Sequence, residues 1–209
     1  MPDVDPALAE ALTDVRKAYR LVWSYQRRVL DLAKIVLGAF PEHEFYAWRP
    51  RAGDPPPQLT GDPLKRWAWD FVPMAEACIL FLPGGADRNA PKAGEWMVEL
   101  RVRVDSGHEG YEAEGEVDPA RFDPAERCTS SLWLYMWLCD EGVSKNWYNW
   151  VWQRGPWPDV DGTPVPHPGG PFRIVGQQVD LATLPDRASV ETMVADFRTM
   201  ATQALGVPA

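Results

Sequence analysis

The chain contains only three cysteines and three histidines among its 209 residues, and neither residue type forms a cluster. The cysteines, Cys78, Cys128 and Cys139, are odd in number and include no CxxC pair. This pattern argues against a disulfide framework and against a cysteine-held metal site. The histidines are widely separated, and each falls in a predicted loop. We therefore predict no bound metal and no cofactor.

Long hydrophobic runs and a leader-like start are also missing. No apolar stretch approaches the roughly 18 residues that a membrane-spanning helix needs. The opening sequence MPDVDPALAE is acidic, whereas a secretory signal has a basic start followed by an apolar core. We therefore expect a cytoplasmic protein with reduced thiols.

Basic side chains are fewer than acidic ones, with 21 Lys and Arg residues against 30 Asp and Glu residues and a net charge of −9. This balance disfavours non-specific attraction to the phosphates of nucleic acids. It would also steer a basic partner towards the chain. We predict a protein partner with a basic surface, and neither a nucleic-acid nor a membrane partner.

Catalytic motifs are absent from the sequence as well. The glycines of PGGADRNAPKAG lie between two predicted strands, whereas a phosphate-binding loop joins a strand to a helix. The segment DVDG at 159–162 begins like a calcium loop but has no closing glutamate. We interpret Glu99, Arg101 and Arg103 as paired charges on a solvated sheet face. No catalytic residue is predicted.

The clearest element that the chain does contain is a long amphipathic helix over residues 5–40. Asp5 can cap it, Pro6 suits its first position, and Gly38 and Pro41 end it. Apolar residues recur along it at alternating spacings of four and three, broken only at Gln26: Leu8, Leu12, Val15, Tyr19, Val22, Val29, Ala33, Val36 and Phe40. We expect this wide stripe to pack on the sheet of its own domain. A coiled-coil dimer seam is the alternative.

Residues 41–66 are predicted to be loop, and strands follow within a sheet region at 67–180. AEACILFLP, EWMVELRVRVD, SSLWLYMWLC and the weaker FRIVGQQVDL have strand patterns, and NWYNWVWQ is interpreted as a further strand. A second amphipathic helix covers 186–205. Because the strands run together between two helices, we predict one α+β domain over 1–209. Its sheet would be mainly antiparallel, with four to five strands between the long N-terminal helix and the C-terminal helix.

Tryptophan is unusually frequent, with eleven residues, and four of them fall within SKNWYNWVWQRGPWP. Trp133, Tyr135 and Trp137 form an aromatic row along one predicted strand. If this row shares a face with Arg101 and Arg103 on a neighbouring strand, the guanidinium groups would lie beside the indole rings. The alternative places that row on the opposite face, inside the core. The candidate binding residues are Trp133, Tyr135, Trp137, Trp147, Trp150, Trp152, Trp157, Arg101 and Arg103.

We therefore predict a non-enzymatic interaction protein that binds a macromolecular partner through an aromatic-rich patch. An accessory, immunity or antitoxin-like subunit would fit the acidic charge. One alternative is a small-ligand-binding protein or an enzyme with a pocket lined by Trp147, Trp150 and Arg101. A second alternative is an oligomeric scaffold assembled through the N-terminal helix.

Overall fold

The computed structural model describes residues 5–51, 74–108 and 117–207. The helices and strands in these ranges are α1 (Pro6–Gly38), β1 (His43–Pro50), β2 (Glu76–Pro83), β3 (Trp96–Arg103), β4 (Ser131–Cys139), β5 (Val165–Pro166), β6 (Phe172–Asp180) and α2 (Arg187–Leu205). All six strands join one antiparallel sheet in the order β1-β2-β3-β4-β6-β5. The predicted α+β class is confirmed, with one strand more than the upper estimate. The single domain over 1–209 stays a prediction.

Both helices begin and end where the sequence indicates. The Asp5 carboxylate accepts hydrogen bonds from the N–H groups of Ala7 and Leu8 at the start of α1. Asp186 and Ser189 form a capping box at the start of α2, and Gly206 ends it with φ +70°. These contacts satisfy backbone groups that a helix terminus leaves without intrahelical partners.

The two faces of the sheet carry two separate apolar layers. On one face, α2 and the C-terminal third of α1 cover the aliphatic residues of β2, β3, β4 and β6. On the other face, residues 147–172 cover a layer of large aromatic side chains. Every residue of β4 is buried, so alternation along this strand separates two interiors rather than an interior from solvent.

The strand β1 lies in a region that the sequence pattern predicts to be loop. It pairs with β2, and His43 at its start is buried with Nε2 at 3.0 Å from the Trp96 carbonyl oxygen. The register shifts between Phe45 and Ala47, so Tyr46 forms a β-bulge. The loop prediction is therefore wrong for 43–50, because pairing with a distant strand supplied the order that the local sequence did not signal. The part of the predicted loop at 52–66 lies outside the described residues.

The segment NWYNWVWQ does not form the predicted strand. Residues Trp147–Trp152 form a π-helical turn, and the Asn146 side chain caps it by accepting from the N–H groups of Tyr148 and Asn149. The strand prediction fails here because the apolar residues at 147, 151 and 152 are the ones that face the interior. Their spacing fits a wide helical turn better than a period of two.

The apolar stripe of α1 is buried over only part of its length. Val29, Ala33, Val36 and the following Phe40 are buried in the domain, as expected. In contrast, none of residues 6–24 is buried, and Tyr19 is 75% exposed. The expectation that the whole stripe packs on its own domain is therefore wrong for this segment. We call residues 6–24 the projecting half of α1; at 1.5 Å per residue it is about 28 Å long.

Candidate functional site

Two surfaces of the molecule carry most of its aromatic side chains, and the first is the sheet face opposite the helices. Arg101 lies directly across from Trp133 in the β3–β4 pairing. The guanidinium carbons of Arg101 and Arg103 lie 4.9 and 4.7 Å from the centre of the Trp133 ring. Of the two arrangements left open by the sequence, the structure has the one in which the aromatic row shares a face with the arginines. Both Trp133 and Arg103 are buried, however, so these contacts lie inside the protein.

A buried carboxylate lies at the centre of the same face. Glu99 on β3 has no exposed surface. Its Oε2 accepts a hydrogen bond of 3.0 Å from Trp137 Nε1, and both of its oxygens lie 3.2–3.3 Å from Trp157 Nε1. The Trp152 N–H is near the same carboxylate but outside hydrogen-bond geometry. The interpretation of Glu99 as a charge on a solvated face is therefore wrong, because residues 147–157 cover that face.

The protonation of Glu99 depends on two opposing effects. Burial raises the pKa of its carboxyl, because a low-dielectric interior disfavours the charged form. The Cys78 thiol and the surrounding indole N–H groups oppose this rise by stabilising the charge. Burial also raises the pKa of Cys78 well above its usual range, so this thiol stays protonated and unreactive.

Glu76 and Arg101 form the neighbouring ion pair on this face. Arg101 Nε donates to Glu76 Oε1 at 2.7 Å, and its terminal amino group is 2.5 Å from the same oxygen. This pairing satisfies the Arg101 charge within the sheet. Nearby, Gly176 leaves room for the Tyr135 ring, which an added Cβ would contact. The face is thus closely packed around its polar groups.

The tryptophans of the 147–157 segment mostly serve to cover this face. Trp147 and Trp152 are buried, with Trp147 edge-on to Phe172 at 5.4 Å between ring centres. Trp157 is half-buried and meets the rings of Trp152 and Trp137 edge-on at 6.1 and 6.3 Å. These geometries are those favoured by packed aromatic pairs. The segment is a cover for the sheet.

Trp150 is the half-exposed ring of the π-helical turn. It stacks on His167 with 5.5 Å between ring centres, and Lys145 Nζ lies 4.4 Å above the ring. His167 is buried and accepts from the Gly169 N–H through Nδ1, so its Nε2 donates to the Val151 carbonyl oxygen. Burial accordingly lowers the pKa of His167. Trp147, Trp150 and Arg101, predicted to line one pocket, occupy three different environments.

The second aromatic surface contains two exposed tryptophans that the sequence analysis did not select. Trp23 is 60% exposed on the projecting half of α1, and Trp48 is 45% exposed on β1. Trp23 directly follows Val22 of the predicted apolar stripe, which is the signal that could have identified it. Trp48 carries no comparable signal, because β1 itself is not predicted.

An apolar groove lies between α1 and the β1–β2 edge of the sheet, and Trp48 lines it. It has a volume of about 330 Å³ and is lined by Leu30, Ala33, Lys34, Leu37, Phe45, Trp48, Met74, Ile79 and Phe81. The bulge at Tyr46 places both Phe45 and Trp48 on the side of α1, although they are three residues apart. We define the α1–β1 surface as the apolar stripe of the projecting half of α1 together with this groove. Its two parts lie on the same side of α1, with Gln26 between them in the stripe.

Basic side chains border the α1–β1 surface along one edge. The sequence from Val15 to Leu30 carries five basic residues and no acidic residue. At 100° per residue, Arg16, Arg20, Arg27 and Lys34 follow one line beside the apolar stripe. The guanidinium of Arg27 also lies over the Trp23 ring at 5.7 Å. This local charge is opposite in sign to the net charge of the chain.

The described ranges contain neither a cluster of metal ligands nor a membrane-spanning helix. Residues 5–51, 74–108 and 117–207 contain no group of three or more His, Cys, Asp or Glu side chains that could hold a metal ion. Within the same ranges, neither α1 nor α2 is long and apolar enough to cross a membrane. Cys78, Cys128 and Cys139 are all free thiols.

The fold and its two aromatic surfaces define an α+β protein with a tryptophan-rich interior and an exposed apolar helix. The chain belongs to the PM0109 family, whose sequence profile matches residues 5–206. It is similar to the uncharacterized protein PM0109 of Pasteurella multocida (strain Pm70), with 24% identity over 200 residues, which cover 93% of this chain and 94% of that protein. No solved structure matches. Because the family match begins at residue 5, it includes the projecting half of α1.

Proposed function

We propose that this chain is a non-enzymatic interaction protein that docks a protein partner on its α1–β1 surface. The single observation that carries the proposal is the exposure of Trp23 on the stripe of α1 and of Trp48 in the apolar groove beside α1. Large exposed apolar patches are uncommon on monomeric proteins and mark interaction sites. Tryptophan is also among the residues that contribute most binding energy at interfaces.

The docking surface proposed here differs from the aromatic patch expected at 147–157. In that segment, Trp147 and Trp152 are buried and Trp150 is held between Lys145 and His167. Their side chains offer little area to a partner. The α1–β1 surface offers two exposed indoles and several exposed aliphatic side chains instead.

The enclosed polar groups at the centre of the sheet support the proposed class of interaction protein. Glu99 is enclosed by indole rings, and Arg101 is paired with Glu76. These contacts support a structural role for the polar face and give little support to an enzyme or small-ligand pocket there. We place the protein in the cytoplasm as an accessory, immunity or antitoxin-like subunit, where its three free thiols would stay reduced.

Site-specific photo-crosslinking in cells tests this proposal. A photoreactive phenylalanine analogue would replace Trp23 in one variant and Trp48 in another. The matched control replaces Leu21, which is 72% exposed but lies on the opposite side of α1 from the apolar stripe. We expect one discrete crosslinked product from positions 23 and 48, and none from position 21.

A fourth variant, with the analogue at Trp150, compares the two aromatic regions directly. A product from position 150 alone would overturn the proposed surface in favour of the 147–157 segment. The absence of any product at positions 23 and 48 would overturn it as well. The mass of a product from these two positions identifies what occupies the surface.

A further inference from the structure

We propose that the occupant of the α1–β1 surface is a second copy of this chain. In the proposed dimer, the two α1 helices run antiparallel about a two-fold axis, and the projecting half of each fills the groove of the other. This inference rests on the proposed function, since it names the partner of the same surface. It explains why one chain exposes both an apolar helix and an apolar groove.

The groove is a strip along the edge of the sheet face that the two helices leave uncovered. Five strands longer than β5 at about 4.8 Å spacing make a sheet face about 24 Å wide, whereas two helices cover about 16–20 Å of it. In the described ranges, α2 contacts β4 and β6, while α1 contacts β3 and β1. The uncovered strip therefore lies over the outer part of β1 and β2, where Phe45, Trp48 and Phe81 line the groove.

The projecting half of α1 has the shape to fill this strip. Leu8, Leu12, Val15, Tyr19, Val22 and Trp23 span an arc of about 100°, counted at 100° per residue. A two-stranded seam needs less, whereas a helix lying between another helix and a sheet contacts both. Leu12, Tyr19 and Trp23 on one flank would face α1 of the second copy. Val15 and Val22 on the other flank would face its β1 edge.

Continuity along α1 sets the direction of pairing. Leu30 and Leu37 of the groove lie on the same side of α1 as the exposed stripe of the projecting half. An antiparallel arrangement with its axis near Trp23 brings each projecting half beside the groove of the other copy. Such an isologous contact closes on itself and yields a dimer.

The contact area is sufficient for a specific dimer. Each projecting half is about 28 Å long and about 10 Å wide, so the two reciprocal contacts bury on the order of 1,100 Å² in total. This value is near the lower limit for specific protein interfaces. It also removes Trp23 and Trp48, the most exposed tryptophans described, from water.

The basic border gives the dimer a distinctive dependence on salt. Two copies would bring their rows of Arg16, Arg20, Arg27 and Lys34 close together at the solvent side of the contact. Salt screens this repulsion, so the dimer should become tighter as the salt concentration rises. An acidic partner on the same surface would instead bind more weakly in high salt.

Sedimentation of the purified full-length protein over a range of concentrations, with paired variants, tests the inference. Leu12→Glu alters the projecting half, Trp48→Glu alters the groove, and Leu21→Glu is the exposed control. We expect the wild type and Leu21→Glu to dimerise equally. Each of the other two variants should weaken dimerisation by about 100-fold or more, because a charge would be buried at both contacts.

Mixing the two defective variants gives the sharpest readout. In a mixed dimer, both substitutions fall on one contact, while the unaltered projecting half and the unaltered groove form the other. Mixing Leu12→Glu with Trp48→Glu should therefore restore dimers that neither variant forms alone. Failure to restore them would overturn reciprocal docking.

Other outcomes separate this inference from the proposed function. A wild type that stays monomeric at a concentration about 100 times a micromolar dissociation constant would overturn the second copy as occupant. A crosslinked product between position 23 and a different protein would do the same while leaving the docking surface intact. A dimer that is unaffected by Leu12→Glu and Trp48→Glu would also overturn the inference.

Discussion

The tryptophans packed between the 147–157 segment and the sheet differ sharply in environment from those on the α1–β1 surface. Trp137, Trp147 and Trp152 are at most 1% exposed, and they pack against other rings or a buried carboxylate. Trp23 and Trp48 keep 60% and 45% of their surface in contact with solvent. The first group holds a segment onto the sheet, whereas the second leaves apolar area available to a partner.

The difference between the two regions comes from what covers them. Residues 147–172 return over one sheet face and enclose its aromatic side chains together with Glu99. The helices cover the other face only in part, so the groove beside β1 and the projecting half of α1 stay exposed. A tryptophan count therefore indicates much apolar area, and only the path of the chain decides where that area is exposed.

The largest expected effect is a loss of folding stability when a buried tryptophan is removed. Trp152→Ala removes a fully buried ring and leaves a cavity beside Trp157, so the free energy of unfolding should fall by about 3–5 kcal/mol. Urea unfolding followed by circular dichroism measures this change. A loss below about 1 kcal/mol would show that the segment does not depend on this ring.

The next effect concerns the acceptor that the buried indoles share. Glu99→Leu leaves the N–H groups of Trp137 and Trp157 without an acceptor, and we expect a loss of about 2–4 kcal/mol in unfolding free energy. Glu99→Gln keeps a carbonyl oxygen and should cost clearly less in the same urea measurement. Equal losses for the two variants would contradict a role for the hydrogen bonds.

The protonation of Glu99 predicts a pH dependence of stability. Burial raises its pKa in the folded protein, so the folded state binds this proton more tightly than the unfolded chain does. The resulting stability is complete below the ordinary carboxyl pKa and is lost as the pH rises through the raised value. Between these two values, the unfolding free energy of the wild type should fall by up to about 1.4 kcal/mol per pH unit relative to Glu99→Gln.

Urea unfolding of both proteins across this pH window tests the expectation. The Gln variant controls for every other titrating group, because it differs from the wild type only at position 99. A constant difference between the two proteins would mean that burial does not raise the carboxyl pKa.

The smallest expected effect on folding stability comes from removing an exposed tryptophan. Trp23→Ala should change the unfolding free energy by less than about 0.5 kcal/mol when measured at a concentration where the protein is monomeric. The same urea assay as for Trp152→Ala makes the two values directly comparable. A loss of about 3 kcal/mol would place Trp23 in the core and would contradict the exposed surface.

Local signals in the sequence predicted much of the fold. Asp5 and Pro6 start α1, and Gly206 ends α2, because capping depends on residues that are adjacent in the chain. Alternation predicted the central strands, since a period of two follows from strand geometry alone. The pairing of β3 with β4 then decided that Arg101 and Trp133 share a face. The strand β1 has no such local signal and was missed.

The candidate site was less accessible to sequence reasoning. The nine predicted binding residues include Arg101 and Trp133, which do meet, but Trp23 and Trp48 are absent from the set. Alternation along a strand distinguishes two faces without showing whether a later segment covers either of them. For the same reason, Glu99 was expected in solvent although residues 147–157 enclose it.

By itself, the sequence determined the ends of both helices, the α+β order and the two-sided character of the central strands. Only the tertiary structure decided that Glu99 is buried, that Trp147–Trp152 turn back as a π-helix, and that the stripe of α1 is covered at one end and exposed at the other. The reason is that helix caps and strand alternation act within a few residues. Burial depends on contacts between segments that are far apart in the chain.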